Sequence, residues 1–238
     1  MSYRWEINRN FLILKCGGMV KLKRQNKQNE VGKVVKVLAE IEELAKTDSL
    51  PSIGPIKGKI VESLITEHKP KKALEIGTLH GYSAILIANS MSVYLRKTKS
   101  FDIDTMNSVP IVMSVEKDEK LATIARKNIK NAGLSKLIQV VNGDAKKVIP
   151  SLGVKFNMVF LDAAKSEYLK YLQLVEQYGL LEKRALIVAD NVILFEEEMK
   201  DYLDYVRNSG KYHSHTTETS LEFTKNVADA LEVSISFQ

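Results

Sequence analysis

In the stretch VFLDAAKSEY, residues 159–168, an apolar run ends on the acid Asp162, and Lys165 follows three positions later, where a helix is expected to start. Further along, LIVADNVI closes a second apolar run on Asp190 and Asn191. If the two runs are neighbouring parallel strands, their ends lie about 4.8 Å apart per strand spacing. Two carboxylates and an amide carbonyl then converge into an all-oxygen cluster. Hard oxygen donors with open positions suit Mg²⁺ or another hard divalent cation, water or substrate completing the octahedron. No His or Cys accompanies them, which speaks against zinc. Either acid alone reads better as the cap of a following helix. Both, in matching places, favour the metal.

LEIGTLHGYSA, residues 74–84, carries a second kind of chemistry. A strand ends in Glu75-Ile76-Gly77, and Gly81 opens a helix. Glycines there allow a tight turn and a close approach of backbone to ligand. The spacing is G-x-x-x-G with a carboxylate in front, so it is not the dinucleotide fingerprint. Glu75 would repel a pyrophosphate and favour a cation, such as the amino group of a methionine moiety. A turn with no ligand is the other reading. The next strand ends in Ser114-Val115-Glu116, where an acid can take two ribose hydroxyls. Asn142-Gly143-Asp144-Ala145 ends the third, again small and polar.

These residues need a scaffold that brings strand ends together. Apolar residues recur at helical spacing from Val31 to Lys46, and a second helix runs from about Pro55 to His68. Short apolar strands follow at Ala73–Ile76, Ile111–Val115, Leu137–Val141, Phe156–Leu161 and Ala185–Ala189. Helical patterns lie between them at 81–95, 118–131 and 166–178, with another at about 196–208. Such alternation implies an α/β, Rossmann-like, doubly wound and mostly parallel sheet, with helices on both faces. His213–Thr217 and Leu231–Phe237 bring the strands to about seven, the last antiparallel and near an edge. Residues 97–110 form a polar insertion before the second strand. Residues 1–29 read as a basic leader and 30–238 as one domain, and Met19 is a candidate start.

The 238 residues are 45% hydrophobic, enough for one large core. No run reaches the roughly 18 apolar residues of a membrane span, and the single cysteine, Cys16, excludes an internal disulfide. A cytoplasmic protein is expected. The net charge of +6 raises the question of nucleic acid, but the basic residues are spread along the chain. Their densest cluster, Lys21–Lys27, reads as a solvated lead-in.

Taken together, LEIGTLHGYSA, SVEKDE, VNGDAKKVIP, MVFLDAAKSEY, LIVADNVI and SLEFTKNVADALE resemble the metal- and S-adenosylmethionine-dependent O-methyltransferases, catechol O-methyltransferases above all. The likeness runs from about residue 54 to Glu232. It implies that Glu75 and Glu116 contact the methionine and ribose parts of S-adenosylmethionine. Ile53, Gly77, Ser83, Ala145 and Asp162 would complete that site. Asp162, Asp190 and Asn191 would hold Mg²⁺, with Lys165 as general base. Glu222 would bind the second hydroxyl of the acceptor, which Lys165 and Asn191 would also touch. Desolvation and a nearby cation would depress the basicity of such a lysine into a useful range.

Where the family has bulky aromatic walls, the matching residues Ala164 and Ser49 are small, and Phe195 offers an aromatic wall from another side. The expected reaction is methyl transfer to a small catechol-like or vicinal-diol aromatic substrate. A homo-oligomer is compatible with the sequence. The alternatives are a tRNA or other RNA methyltransferase, and a non-catalytic S-adenosylmethionine-binding protein on the same fold.

Overall fold

The structure, a computed structural model, describes residues 19–48, 50–96, 110–224 and 227–237, with side chains from Gly32 onward. Ser49, residues 97–109 of the polar insertion, and the leader residues Trp5 and Cys16 lie outside the described part. Helix α1 (Met19–Thr47) begins ahead of the residue 29/30 division and leads into α2 (Gly54–His68). The alternating stretch follows as β1 (Ala73–Ile76), α3 (Tyr82–Leu95), β2 (Val112–Glu116), α4 (Glu119–Asn131) and β3 (Ile138–Asn142). Then come the one-turn α5 (Ala145–Val148), β4 (Phe156–Leu161), α6 (Tyr168–Gln177), β5 (Leu181–Asp190) and α7 (Lys200–Asn208). The chain closes with β6 (Tyr212–Ser220) and β7 (Ala228–Ser236).

One seven-stranded sheet runs in the order β3-β2-β1-β4-β5-β7-β6. Strands β1 to β5 pair in parallel, and β7 is antiparallel to both its neighbours. It lies between β5 and β6, so the chain's last strand is one place in from the edge. The first crossovers build outward from β1 through β2 to β3, and the chain then returns to β4 on the other side of β1. That reversal is where an open α/β sheet leaves a crevice beyond its carboxyl edge.

Alternation within the strands sends side chains into two apolar layers. Met158 and Phe160 pack with α1 to α4, while Val159 and Leu161 pack with α6 and α7 on the opposite face. The central strands β1, β2 and β4 are buried on both sides, as a parallel sheet requires, and Phe160 has no exposed surface. A helix pattern over α4 is reinforced by Asp118, whose carboxylate accepts from the N–H groups of Lys120 at 2.7 Å and Leu121 at 3.0 Å.

Candidate active site

Register places the polar strand ends side by side. Ile76 stands between Val115 of β2 and Leu161 of β4, and Leu161 pairs with Ala189 of β5. The residues that follow, Gly77, Glu116, Asp162 and Asp190, therefore share one edge. Gly77 has φ +102°, and a Cβ there would lie 2.0 Å from the Asp162 carbonyl oxygen. Only glycine permits the β1 and β4 ends to approach so closely.

A cavity of about 750 Å³ opens over this edge. On its cofactor side it is lined by Ile53 before α2, Gly77, Ser83 in the first turn of α3, Glu116, and Ala145 at the start of α5. On the other side stand Asp162, Lys165, Asp190, Asn191 and Glu222. Of the candidate cofactor, metal and catalytic residues, Glu75 alone sits beneath the lining, completely buried. The Ser114 hydroxyl donates to Glu75 Oε2 and is itself paired with the Thr78 hydroxyl, whereas Glu75 Oε1 has no hydrogen-bond partner. Burial pushes the Glu75 carboxyl up to about 8, against the pull of the Ser114 and Ser83 hydroxyls. Glu116 is tied to the glycine turn: its carboxylate accepts from Thr78 N at 3.2 Å, Leu79 N at 2.9 Å and Asp118 N at 2.9 Å.

Lys165 opens a short 3-10 turn, Lys165–Glu167, rather than the helix itself. Its ammonium donates to Asp162 Oδ1 at 2.9 Å and to the Tyr168 hydroxyl at 2.8 Å. It also lies 5.9 Å from the centre of the Phe195 ring, so that ring does form a wall beside the lysine. Tyr168 is fully buried, and burial keeps its phenol protonated. Ala163 and Ala164 line the cavity next to it with little more than their methyl groups.

Two residues of this cluster were not singled out from the sequence. Lys57, in the first turn of α2 and 1% exposed, bonds Asp190 Oδ1 and lies 2.5 Å from Asp229 Oδ2. Burial opposes its charge, but Asp190 and Asp229 together raise its pKa. Burial also works against an ionised Asp229, yet Lys57 and Asn191 hold its carboxyl below the usual range. Asp190 is pushed up by burial and by the charge of Asp162, with Lys57 and Lys165 pulling the other way. A cation in a helix's first turn is disfavoured, and that anomaly at Lys57 was the available clue. Glu222 has a structural task as well. From the β6–β7 connection its Oε1 accepts the N–H groups of Ile56 and, at 2.9 Å, Lys57, capping α2 where Ile53 has no side chain to do so.

The donors fit the groups the sequence points to. The unpartnered Glu75 oxygen, deep under the glycine turn, suits an N–H-bearing cation. For a metal, the set is Asp162, Asp190 and Asn191, two carboxylates and an amide, all oxygen. The hydrogen bonds to Asp162 and Asp190 side chains fall on Oδ1 in each case. Among the described residues no three of His, Cys, Asp and Glu converge as a ligand set, so the amide is needed as the third donor.

A Rossmann-like sheet whose strands β2, β4 and β5 end in acids around one cavity, with Glu75 of β1 buried beneath it, places a ligand site at the carboxyl edge of an open α/β fold. The sequence profile of the O-methyltransferase family matches residues 28–236, and this chain belongs to that family. It is 36% identical over 189 residues to catechol O-methyltransferase B of Danio rerio, covering 77% of this chain and 65% of the relative. Catechol O-methyltransferase of Bos taurus is 32% identical over 185 residues, covering 76% and 61%. The chain thus spans somewhat less than two thirds of these relatives' length. An O-methyltransferase from Bacillus cereus, solved in complex with SAH, shares the fold with a TM-score of 0.68 at 22% identity, covering 86% of this chain and 90% of that one. Among the described residues no helix is long and apolar enough to cross a membrane.

Proposed function

We propose that this chain transfers the methyl group of S-adenosylmethionine to a hydroxyl of a small catechol-like aromatic substrate, assisted by Mg²⁺. The observation that carries this reading is one cavity with Glu116 at one side, Glu75 buried just beneath it, and the Asp162–Lys165–Asp190–Asn191 cluster at the other side. The similarity to catechol O-methyltransferases supports the same acceptor class.

S-Adenosylmethionine would supply a methyl already activated on a sulfonium. Glu75 would receive its amino group and Glu116 its ribose hydroxyls, with Ile53, Gly77, Ser83, Ala145 and Asp162 closing around the rest. Alignment and exclusion of water are then the protein's main tasks. A phenol near pKa 10 is mostly protonated at pH 7, and a bound Mg²⁺ on Asp162, Asp190 and Asn191 would stabilise the developing phenoxide. Lys165, in its neutral amine form, would take the proton: its Nζ is held at the cavity by Asp162 and Tyr168. Phe195 lies beside Lys165 as a face for the aromatic ring, and Ala163 and Ala164 leave room around it. Glu222 would accept from the second hydroxyl with the oxygen that α2 does not use.

Isothermal titration with S-adenosylmethionine tests the cofactor half. Saturable binding by the wild-type chain that collapses in Glu75→Ala is expected. No binding by the wild type would end the reading.

A further inference from the structure

Asn191 is held by its amide nitrogen. Its Nδ2 donates to Asp229 Oδ2 at 2.8 Å, the oxygen Lys57 also reaches, while Leu194 N donates to Asp229 Oδ1 at 3.3 Å. Asp229 has no exposed surface and lies on β7 beside the end of β5, where Val192 N bonds Ala230 O at 3.1 Å. Asn191 itself sits at φ +67°, a left-handed conformation that few residues other than Gly, Asn and Asp adopt readily.

An ionised carboxylate accepts hydrogen bonds and cannot donate one. Only the NH₂ end of Asn191 can therefore face Asp229, and the carbonyl Oδ1 must turn the other way. A side-chain amide without such an anchor can present its two ends about equally well, and an NH₂ end is useless to a cation. We infer that Asp229, with Lys57 as its buried counter-charge, is a positioning residue that fixes the amide of Asn191 so that its carbonyl oxygen faces a divalent cation. Lys57 sets a buried cation 2.5 Å from the Asp229 carboxylate and holds Asp190 by the same ammonium. This inference rests on the metal part of the proposed function, since it says how one of the three donors is aimed. Partners that orient a ligand in this way commonly change metal affinity by roughly 10–100-fold when removed.

The test is titration of the full chain with Mn²⁺ alone, read from the loss of the free-ion EPR signal, with no acceptor and no turnover. Two paired variants separate orientation from charge. Lys57→Met with Asp229→Leu removes both buried charges and the anchor. Lys57→Met with Asp229→Asn removes the charges but leaves a carbonyl to accept from Asn191. The Leu pair should bind Mn²⁺ roughly 10–100-fold more weakly than the Asn pair. Equal affinities would overturn the inference while leaving the metal site standing, whereas a wild type that binds no Mn²⁺ removes both. If the Leu pair does not fold, Asn191→Asp gives the answer: opposing Asp229 with a second carboxylate should weaken Mn²⁺ binding despite the added negative charge. Tighter binding in that variant would contradict the anchor.

Discussion

Lys165 is held at the cavity by Asp162 and Tyr168. On the proposed mechanism its removal would take away the proton acceptor and leave Glu75 and Glu116 in place. Lys165→Met should lower kcat by about 10²–10⁴-fold, the usual range for a lost general base, while titration shows S-adenosylmethionine affinity unchanged. A full-rate variant would reduce the lysine to a structural ion pair. Glu75 gives a pH prediction. Its folded-state pKa is raised from 4.5 to about 8, so between those values the folded chain holds a proton that the unfolded chain has lost. Stability then falls as pH rises through that window. A cationic ligand would drive the proton off, so S-adenosylmethionine binding at pH 7 should release one, measurable as a dependence of titration heat on buffer ionisation enthalpy. Glu75→Gln should abolish the release and flatten the stability profile. At this scale the sequence was most readable where an apolar run stopped at an acid. Lys57 escaped because its partners Asp190 and Asp229 are 133 and 172 positions away.

The elements carry these residues through a few close approaches. The β1 end can lie against the β4 end only through Gly77, so Gly77→Ala should displace Asp162 or unfold the sheet edge. Its circular dichroism and cofactor titration would show a loss of both structure and binding. Glu222 joins the β6–β7 connection to α2, and Glu222→Ala strands two backbone N–H groups. A cost of about 1–2 kcal/mol is expected in urea unfolding, together with weaker acceptor binding. An unchanged midpoint would show that water replaces the cap freely. Strands β1 and β4 have the bounds their apolar runs suggest, since both are buried on both faces apart from the half-buried Asn157 of β4. The polar edge strand β6, YHSHTTETS, runs longer than its pattern suggests, because pairing with β7 rather than burial sets its length. Helix α7 starts at Lys200, later than its pattern suggests, because a run of turns follows Asn191. The single turn α5 is too short for any periodicity to mark.

Across the whole molecule, alternation of strands and helices made the doubly wound sheet legible, and with it the edge where the site lies. Strand order was less so: the placement of β7 between β5 and β6 depends on pairing that no local pattern encodes. That placement brings Asp229 to the end of β5 and completes the cluster. The most direct measurement is methyl transfer itself. The chain would be incubated with methyl-labelled S-adenosylmethionine and a panel of di- and trihydroxylated phenols, with Mg²⁺ or with excess chelator. The expected result is a labelled methyl ether from at least one vicinal diol, formed with Mg²⁺ and lost with chelator. Turnover undiminished by chelator would contradict the metal's part, and no labelled product from any of these acceptors, despite cofactor binding, would contradict the proposed reaction.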